Sequence, residues 1–170
     1  YSTEDAPVGG YDLICVGTPP DSHLEIATNA LAEKPNALLI EKPLCGPDLK
    51  GMQALCDHAA DLGSMVFVGY DHVVGKAATK TRELAESAPL GKIETIDVEF
   101  REHWGGIFAA HSWLDGPADS YLGYSSRGGG AMGEHSHAIN LWQHFALTVG
   151  AGRVLEVSAT AVYVRDGIVD

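Results

Sequence analysis

Basic residues are scarce in this chain of 170 residues. Its 11 lysines and arginines stand against 23 aspartates and glutamates, which gives a formal net charge of −12. A nucleic-acid partner needs positive charge opposite its phosphates, so this balance argues against nucleic-acid binding. A solvated acidic surface that aids solubility is the ordinary explanation of such a charge.

Long apolar runs and cysteine patterns are also missing. No stretch approaches the ~20 uncharged residues that cross a bilayer, and no signal-peptide pattern opens the chain. The cysteines at positions 15, 45 and 56 fit no metal or redox spacing, which predicts buried, reduced thiols. We therefore expect a cytoplasmic globular protein without a membrane partner. Because the chain runs from Tyr1 to an Asp170 inside a predicted strand, we also expect a piece of a longer protein.

Three short apolar runs, LICV, ALLI and MVFV, are present at Leu13–Val16, Ala37–Ile40 and Met65–Val68. Continuous runs of this length are typical of parallel strands that are covered on both faces. The segments between them have helical spacing, the first with a capping box from Ser22 and the second running from Gly46 to Gly63. This order predicts two βαβ units, which form half of a doubly wound α/β sheet.

The pattern changes after Val68. A helix is expected over 76–86, and residues 96–104 alternate apolar with polar, as in an antiparallel strand with one wet face. Residues 105–130 contain seven glycines and predict a long loop, a helix follows around Ala138–Phe145, and alternation resumes over 154–164. We therefore expect a first domain over 1–74 and part of an α+β antiparallel-sheet domain over 75–170, with homo-oligomers forming through that sheet.

The first chemically distinctive segment is Glu41-Lys42-Pro43, which directly follows ALLI. Ligands of open parallel sheets bind at the carboxyl ends of the strands. Pro43 restricts Lys42 to extended geometry and permits a cis peptide bond, which would aim the ammonium in one direction. Such a lysine can hydrogen-bond a reacting hydroxyl, although the same residues also suit a lysine that only extends its charge to solvent.

The second segment is GGGAMGEHSHAIN, over residues 128–140. Its glycines allow close backbone approach, and the helix that they open would carry Glu134 and His137 along one side. His137 could exchange a proton near neutral pH with Glu134 orienting it, or it could be an ordinary histidine at a helix edge. No metal site is predicted, because His135 and His137 would lie ~200° apart on a helix and no HExxH spacing occurs.

Three motifs, VGTPPDSHLEIATNAL, LLIEKPL and GGGAMGEHSHAIN, together resemble the glucose–fructose oxidoreductase and inositol dehydrogenase (Gfo/Idh/MocA) family in order and spacing, over residues 11–145. The resemblance implies the second half of a Rossmann domain and part of a substrate domain. It also implies a dehydrogenase that uses NAD or NADP on secondary alcohols of sugars, cyclitols or related polyols. The family's glycine-rich pyrophosphate loop would lie before Tyr1.

The resemblance also implies roles for particular residues. The cofactor would be bordered by residues of the strand ends: Thr18, Pro19, Pro20, His23, Glu41, Lys42, Pro43 and Tyr70. Lys42 and His137 would handle the hydroxyl proton, with Glu134 tuning the histidine. Aromatic faces and fixed donors suit polyols, and we expect them on the substrate side at Arg101, His103, Trp104, Trp113 and Arg127.

Three departures from the family pattern all touch the substrate side. Glu134 stands three residues before His137, where an Asp four residues before is usual, and Asn140 replaces an acid. Tyr70-Asp71-His72 follows MVFV, where Asn or Arg is common. A non-catalytic nucleotide-binding or regulatory protein on the same fold, and a metal-dependent hydrolase using the histidines, therefore remain alternatives.

Overall fold

A three-stranded parallel sheet forms the centre of the first region. In the computed structural model, which describes residues 6–87, 91–165 and 168–169, the strands are β1 (Leu13–Val16), β2 (Ala37–Ile40) and β3 (Met65–Val68). The order is β1-β2-β3, with Leu13 opposite Ala37 and Ala37 opposite Met65. All three predicted strands and their parallel pairing are confirmed.

Two helices cover one face of this sheet. They are α1 (Pro20–Ala30), which continues as a 3₁₀ turn over Leu31–Glu33, and α2 (Met52–Leu62). The core between helices and sheet consists of small and branched apolar residues: Val16, Ala27, Leu31, Leu38, Ile40, Leu55 and Ala59. Burying each large aliphatic side chain contributes about 1.5–3 kcal/mol, so this layer anchors the fold.

The predicted starts of both helices were wrong. Helix α1 begins at Pro20, because proline's fixed φ suits the first helical position. Ser22 therefore lies inside the helix, where its hydroxyl is within hydrogen-bonding distance of Thr18 Oγ1 and of the Pro19 carbonyl oxygen. Helix α2 begins only at Met52, because Leu49 and Gly51 have left-handed backbones (φ 54° and 88°) that interrupt a helix.

The other face of the sheet is open to solvent, contrary to the expectation that both faces are covered. Leu13, Met65 and Phe67 are each half exposed there. The prediction of buried thiols was also wrong, since Cys15 on this face and Cys56 on α2 are exposed. Alternation along the strands places Leu13, Cys15, Met65 and Phe67 on this one face, because neighbouring side chains point to opposite faces.

The second region contains four helices among its described residues. They are α3 (Lys76–Ser87), α4 (Trp104–Ala110), α5 (Gly130–Glu134) and α6 (His137–Thr148). Residues 105–130 do not form the structureless loop that was predicted, because α4 and three 3₁₀ turns (Pro117–Asp119, Tyr121–Gly123 and Ser125–Arg127) occupy much of this segment. The predicted helices at 76–86 and around 138–145 are confirmed.

Of the predicted antiparallel sheet, the part of the chain that the structure describes contains only a two-stranded ladder at its C-terminal end. Ile96, Val98 and Phe100 are half-buried while the residues between them are exposed, so the predicted alternation exists. However, no backbone among the described residues pairs with this segment, and Trp104 begins α4 instead of ending a strand. Of the strand expected over 154–164, residues 154–162 are irregular and exposed. Strands β4 (Tyr163–Arg165) and β5 (Ile168–Val169) form a two-stranded antiparallel ladder.

The predicted oligomer interface depends on that sheet and stays a prediction. None of the described helices is long and apolar enough to cross a membrane.

Candidate active site

The turns after β1 and β2 are joined by a buried histidine. His23 on α1 is fully buried, its Nδ1 lies 3.0 Å from the Pro43 carbonyl, and its Nε2 contacts the Thr18 carbonyl. The sequence led us to expect His23 beside a cofactor. The structure places it behind the turns, where it fixes the position of the Lys42–Pro43 segment, whose peptide bond is cis.

Lys42 forms an ion pair with Glu134 across the two regions. Its ammonium lies 3.2 Å from Glu134 Oε1 and donates a hydrogen bond of 2.9 Å to the Glu134 carbonyl. Both side chains are largely buried, so solvent screens this pair less than a surface pair. The structure therefore brings these predicted residues together, although Glu134 contacts Lys42 where we expected it to orient His137.

The glycine-rich segment allows this contact by close backbone approach. A Cβ at Gly129 would lie 1.9 Å from the Tyr121 carbonyl oxygen, and one at Gly133 would lie 1.8 Å from the Gly128 carbonyl oxygen. Gly128 has φ 87° and packs against Pro20 and Pro43. The spacing GGGAMG also matches a dinucleotide-binding fingerprint, but it follows a 3₁₀ turn and not a strand, so it lacks the required context.

His137 begins α6 beside the residues that follow β3. Its Nδ1 lies 3.5 Å from Asp71 Oδ1, and its ring packs edge-on against Tyr70 with centroids 5.7 Å apart. Burial lowers the pKa of His137, and the charges of Lys42 and His72 lower it further, while Asp71 acts in the opposite direction. The imidazole is therefore held towards its neutral form, which can accept a proton.

A cavity of about 510 Å³ connects these groups. Its lining includes the three predicted catalytic residues and one predicted substrate contact, together with three residues that the sequence reasoning had not assigned to the site: Lys42, Glu134, His137, Arg101, His72, Phe100 and Glu102. Phe100 stacks on His135, and Glu102 Oε2 lies 3.2 Å from His135 Nδ1. The alternation over 96–104 was the available signal, because it places Phe100 and Glu102 on one side.

A further residue that the sequence reasoning missed is Tyr121. Burial, followed by the charge of the Glu134 carboxylate, raises the pKa of Tyr121 to about 12. Its hydroxyl therefore remains protonated at neutral pH and can donate. No sequence pattern marked this tyrosine, which lies in a 3₁₀ turn of the glycine-rich segment.

Four predicted substrate contacts lie outside the lining of this cavity. His103 caps α4 by accepting from the Gly105 amide at 3.0 Å, and Trp104 packs on Phe108. Arg127 pairs with Asp21 at 2.7 Å, which ties the glycine-rich segment to the start of α1. The Trp113 side chain is exposed to solvent.

A second cavity, of about 550 Å³, lies at the carboxyl edge of the sheet. Val16, Gly17, Glu41, Val68 and Tyr70 are among its lining residues. A Cβ at Gly17 would meet no protein atom within 4 Å, so it would instead take space that a ligand could fill. Apolar walls with a few polar groups suit a flat heteroaromatic ring, and these residues therefore fit an aromatic ring of a dinucleotide. Of the predicted cofactor residues, Glu41 and Tyr70 line this cavity.

Asp71, His72 and His137 also have metal-binding potential by distance alone. Their ligand atoms lie within 4.8 Å of one another. Asp71 and His72 are exposed, however, and the Lys42 charge acts on the same imidazole, which disfavours a second cation there. We assign no metal to this group.

Comparison with known proteins identifies the class. Residues 3–70 match the model of the Gfo/Idh/MocA family, which is described as an oxidoreductase family with an NAD-binding Rossmann fold. Over residues 3–70 the chain matches this oxidoreductase family, and the resemblance found in the motifs is confirmed there. No curated protein matches the chain in a sequence search.

Solved structures show the same fold. An inositol dehydrogenase homolog from Azotobacter vinelandii, crystallised with NADH and myo-inositol, is 23% identical with a TM-score of 0.59, covering 84% of this chain and 34% of its own. GenD2 from gentamicin A biosynthesis, in complex with NAD, is 20% identical with a TM-score of 0.60, covering 93% of this chain and 46% of its own. The chain thus spans between a third and a half of these two proteins.

Proposed function

We propose that this chain contributes the reacting groups of an NAD(H)- or NADP(H)-dependent dehydrogenase that acts on a secondary alcohol of a sugar, cyclitol or related polyol. The observation that carries the proposal is the convergence of Lys42, Glu134 and His137 on one cavity, although Lys42 lies 95 positions before His137 in the sequence. The bound nicotinamide would supply the hydride acceptor in oxidation and the hydride donor in reduction.

The chain's own residues would handle the proton. Asp71 faces Nδ1 of His137, which leaves Nε2 to take the proton of the substrate hydroxyl. The Lys42 ammonium would hydrogen-bond the hydroxyl oxygen and stabilise negative charge as it develops there. Glu134, which holds that ammonium through its carboxylate and its carbonyl, would set the position of Lys42.

The character of the substrate cavity supports an uncharged polyol. Arg101 and Lys42 are balanced there by Glu102 and Glu134, so the cavity carries no excess of one charge. Carboxylates, ammonium and guanidinium groups are all partners for hydroxyl groups. The myo-inositol in the Azotobacter vinelandii homolog supports the same substrate class.

The test is turnover by the natural full-length protein, measured as NADH or NADPH formation with a panel of sugars and cyclitols. We expect Lys42→Met to lower kcat by on the order of 10²–10⁴-fold, because it removes the ammonium while keeping most of the side-chain length. Lys50→Met is the matched control, because Lys50 is exposed in the turn before α2.

Two outcomes would contradict this proposal. Dinucleotide binding without turnover of any panel member would favour the regulatory alternative. Full turnover by the Lys42→Met variant would remove the lysine from the mechanism.

A further inference from the structure

The proton that reaches His137 needs a route to solvent. Each oxidation of an alcohol releases one proton as well as one hydride, so the base must be unloaded before the next cycle. Only 12% of the His137 side chain is exposed, and its Nδ1 is buried without a hydrogen-bond partner among the described residues. An acceptor next to Nδ1 could return the imidazole to its neutral form while the product still occupies the cavity.

Asp71 and His72 provide a continuous line of polar atoms from this nitrogen to the surface. The same carboxylate oxygen, Asp71 Oδ1, lies 3.5 Å from His137 Nδ1 and 2.7 Å from His72 Nδ1. The side chains of Asp71 and His72 are 78% and 43% exposed. The two imidazole rings lie close together, with centroids 4.3 Å apart.

We propose that Asp71 and His72 form the proton exit of the active site, with Asp71 bridging the two imidazoles and His72 passing the proton to water. This inference rests on the proposed function, because it assumes that His137 is the base. Both residues belong to the Asp71–Val74 turn after β3 and are part of the departure from the family pattern noted in the sequence.

The steps balance in atoms and charge. In oxidation the carbinol carbon loses its C–H hydride and becomes a carbonyl, and a bound nicotinamide cofactor would supply the hydride acceptor and be reduced. The hydroxyl proton goes to Nε2 of His137. The proton on Nδ1 then passes to Asp71 Oδ1 and on to His72 or to water, which leaves a neutral His137 with its remaining proton on Nε2. Once the product has left, Nε2 gives this proton to water and Nδ1 takes one back through Asp71, so that Nε2 can accept again.

The 3.5 Å separation is longer than a good hydrogen bond. Asp71 is exposed and free to approach the ring, and a water molecule can also bridge this distance. Catalytic hydrogen bonds commonly shorten when substrate binds, so the distance is compatible with transfer during turnover.

Several charged and titratable groups act on His137 or share its cavity. They come from the turns after β2 and β3, from the 91–103 segment and from α5: Glu41, Lys42, Asp71, His72, Arg101, Glu102 and Glu134. Among the described ion pairs, Asp71 is the carboxylate that lies within 4 Å of a His137 ring nitrogen. It is therefore the group to change.

The experiment measures oxidation by the full-length enzyme in EDTA, at low buffer and again with added imidazole. We expect Asp71→Asn to lower kcat by roughly tenfold at low buffer, less than the 10²–10⁴-fold that loss of a general base costs. Added imidazole should restore most of that rate, because a diffusible base replaces the missing acceptor. His72→Gln should lose less, because the exposed Asp71 can still release a proton to water.

Two matched controls and a pH profile separate proton transfer from a structural role. Asp61→Asn and His58→Gln change exposed residues of the same types on α2 and should leave kcat and its buffer dependence unchanged. In Asp71→Asn the acid limb of the profile should move to lower pH, since Asp71 raises the pKa of His137.

Each outcome decides between the two proposals. An Asp71→Asn enzyme with wild-type kcat at low buffer, or with a loss that imidazole does not restore, overturns the proton exit and leaves the proposed function standing. A wild-type enzyme that oxidises no polyol overturns the proposed function and the exit with it. Buffer-dependent recovery confined to the Asp71 and His72 variants supports the exit.

Discussion

The sheet region (residues 6–74) and the residues at 91–162 differ in whether their strand-like segments pair with neighbouring strands. In the sheet region each strand has a parallel neighbour, and α1 and α2 bury Leu38 and Ile40 completely. Residues 91–103 form no helix or strand; exposure alternates over 96–100, yet no described backbone pairs with this segment. Alternation places side chains on two faces, but only a partner strand supplies the hydrogen bonds of a sheet.

The two regions nevertheless share one site. Lys42, Asp71 and His72 follow strands of the sheet region, whereas Glu134 and His137 come from α5 and α6. The glycine-rich segment brings them together because its backbone packs directly on Pro20 and Pro43. The sheet region thus positions the Lys42 ammonium, and the second region contributes His137, which is the base in the proposed mechanism.

The largest expected effect tests whether His137, in the second region, is the base. His137→Gln removes the proton acceptor and keeps some hydrogen-bonding capacity, so kcat/KM should fall by on the order of 10²–10⁴-fold. Steady-state kinetics on the full-length enzyme measures this, with circular dichroism to check the fold. If Glu134→Gln abolished turnover while His137→Gln retained it, the carboxylate would be the base.

A second prediction tests whether the core lies in the sheet region. Leu38→Ala should lower the free energy of unfolding by about 2–5 kcal/mol, because it leaves a cavity at a fully buried position of the central strand. Leu155→Ala is the matched control at a side chain that is 98% exposed, and it should change stability by less than about 0.5 kcal/mol. Urea denaturation compares the two, and equal losses would contradict this division.

The pH dependence of oxidation tests how Lys42, in the sheet region, changes the pKa of His137, in the second region. Burial and Lys42 lower the pKa of His137, and the base must be neutral to accept a proton. Oxidation should therefore rise with pH through a midpoint below the ordinary histidine value of about 6.5. In Lys42→Met the midpoint should move to higher pH, because one lowering charge is gone, and an unchanged midpoint would argue against His137 as the titrating group.

The smallest expected effect concerns the surface contact between the regions. Arg127→Gln breaks the pair with Asp21, and because both side chains are well exposed to solvent the loss should be about 0.2–1 kcal/mol. Lys80→Gln, which breaks the ion pair with Glu83 inside α3, is the control. Hydrogen exchange of the glycine-rich segment should accelerate only in Arg127→Gln. Acceleration in both variants would show that the Arg127–Asp21 pair does not specifically hold this segment.

Sequence patterns predicted the sheet region well because its signals are local. The three apolar runs correspond to β1, β2 and β3 without a shift of either end, and Gly63 ends α2 with the left-handed backbone that glycine favours. The helix starts were missed because two prolines and two left-handed residues outweighed the spacing of apolar side chains.

The sequence by itself determined the parallel strands, the helix around Ala138–Phe145 and the resemblance to the family, because apolar runs, helical spacing and ordered motifs do not depend on distant contacts. The single helix expected to carry both Glu134 and His137 was wrong, because α5 ends at Glu134 and α6 begins at His137. Only the tertiary structure decided that Glu134 pairs with Lys42 and that the buried His23 contacts the Pro43 carbonyl. It also decided that Asp71 and His72 lie beside His137. These contacts join residues that are not neighbours in the chain, and one link between the two regions is the close packing of Gly128 against Pro20 and Pro43. No periodicity in the sequence encodes such distances.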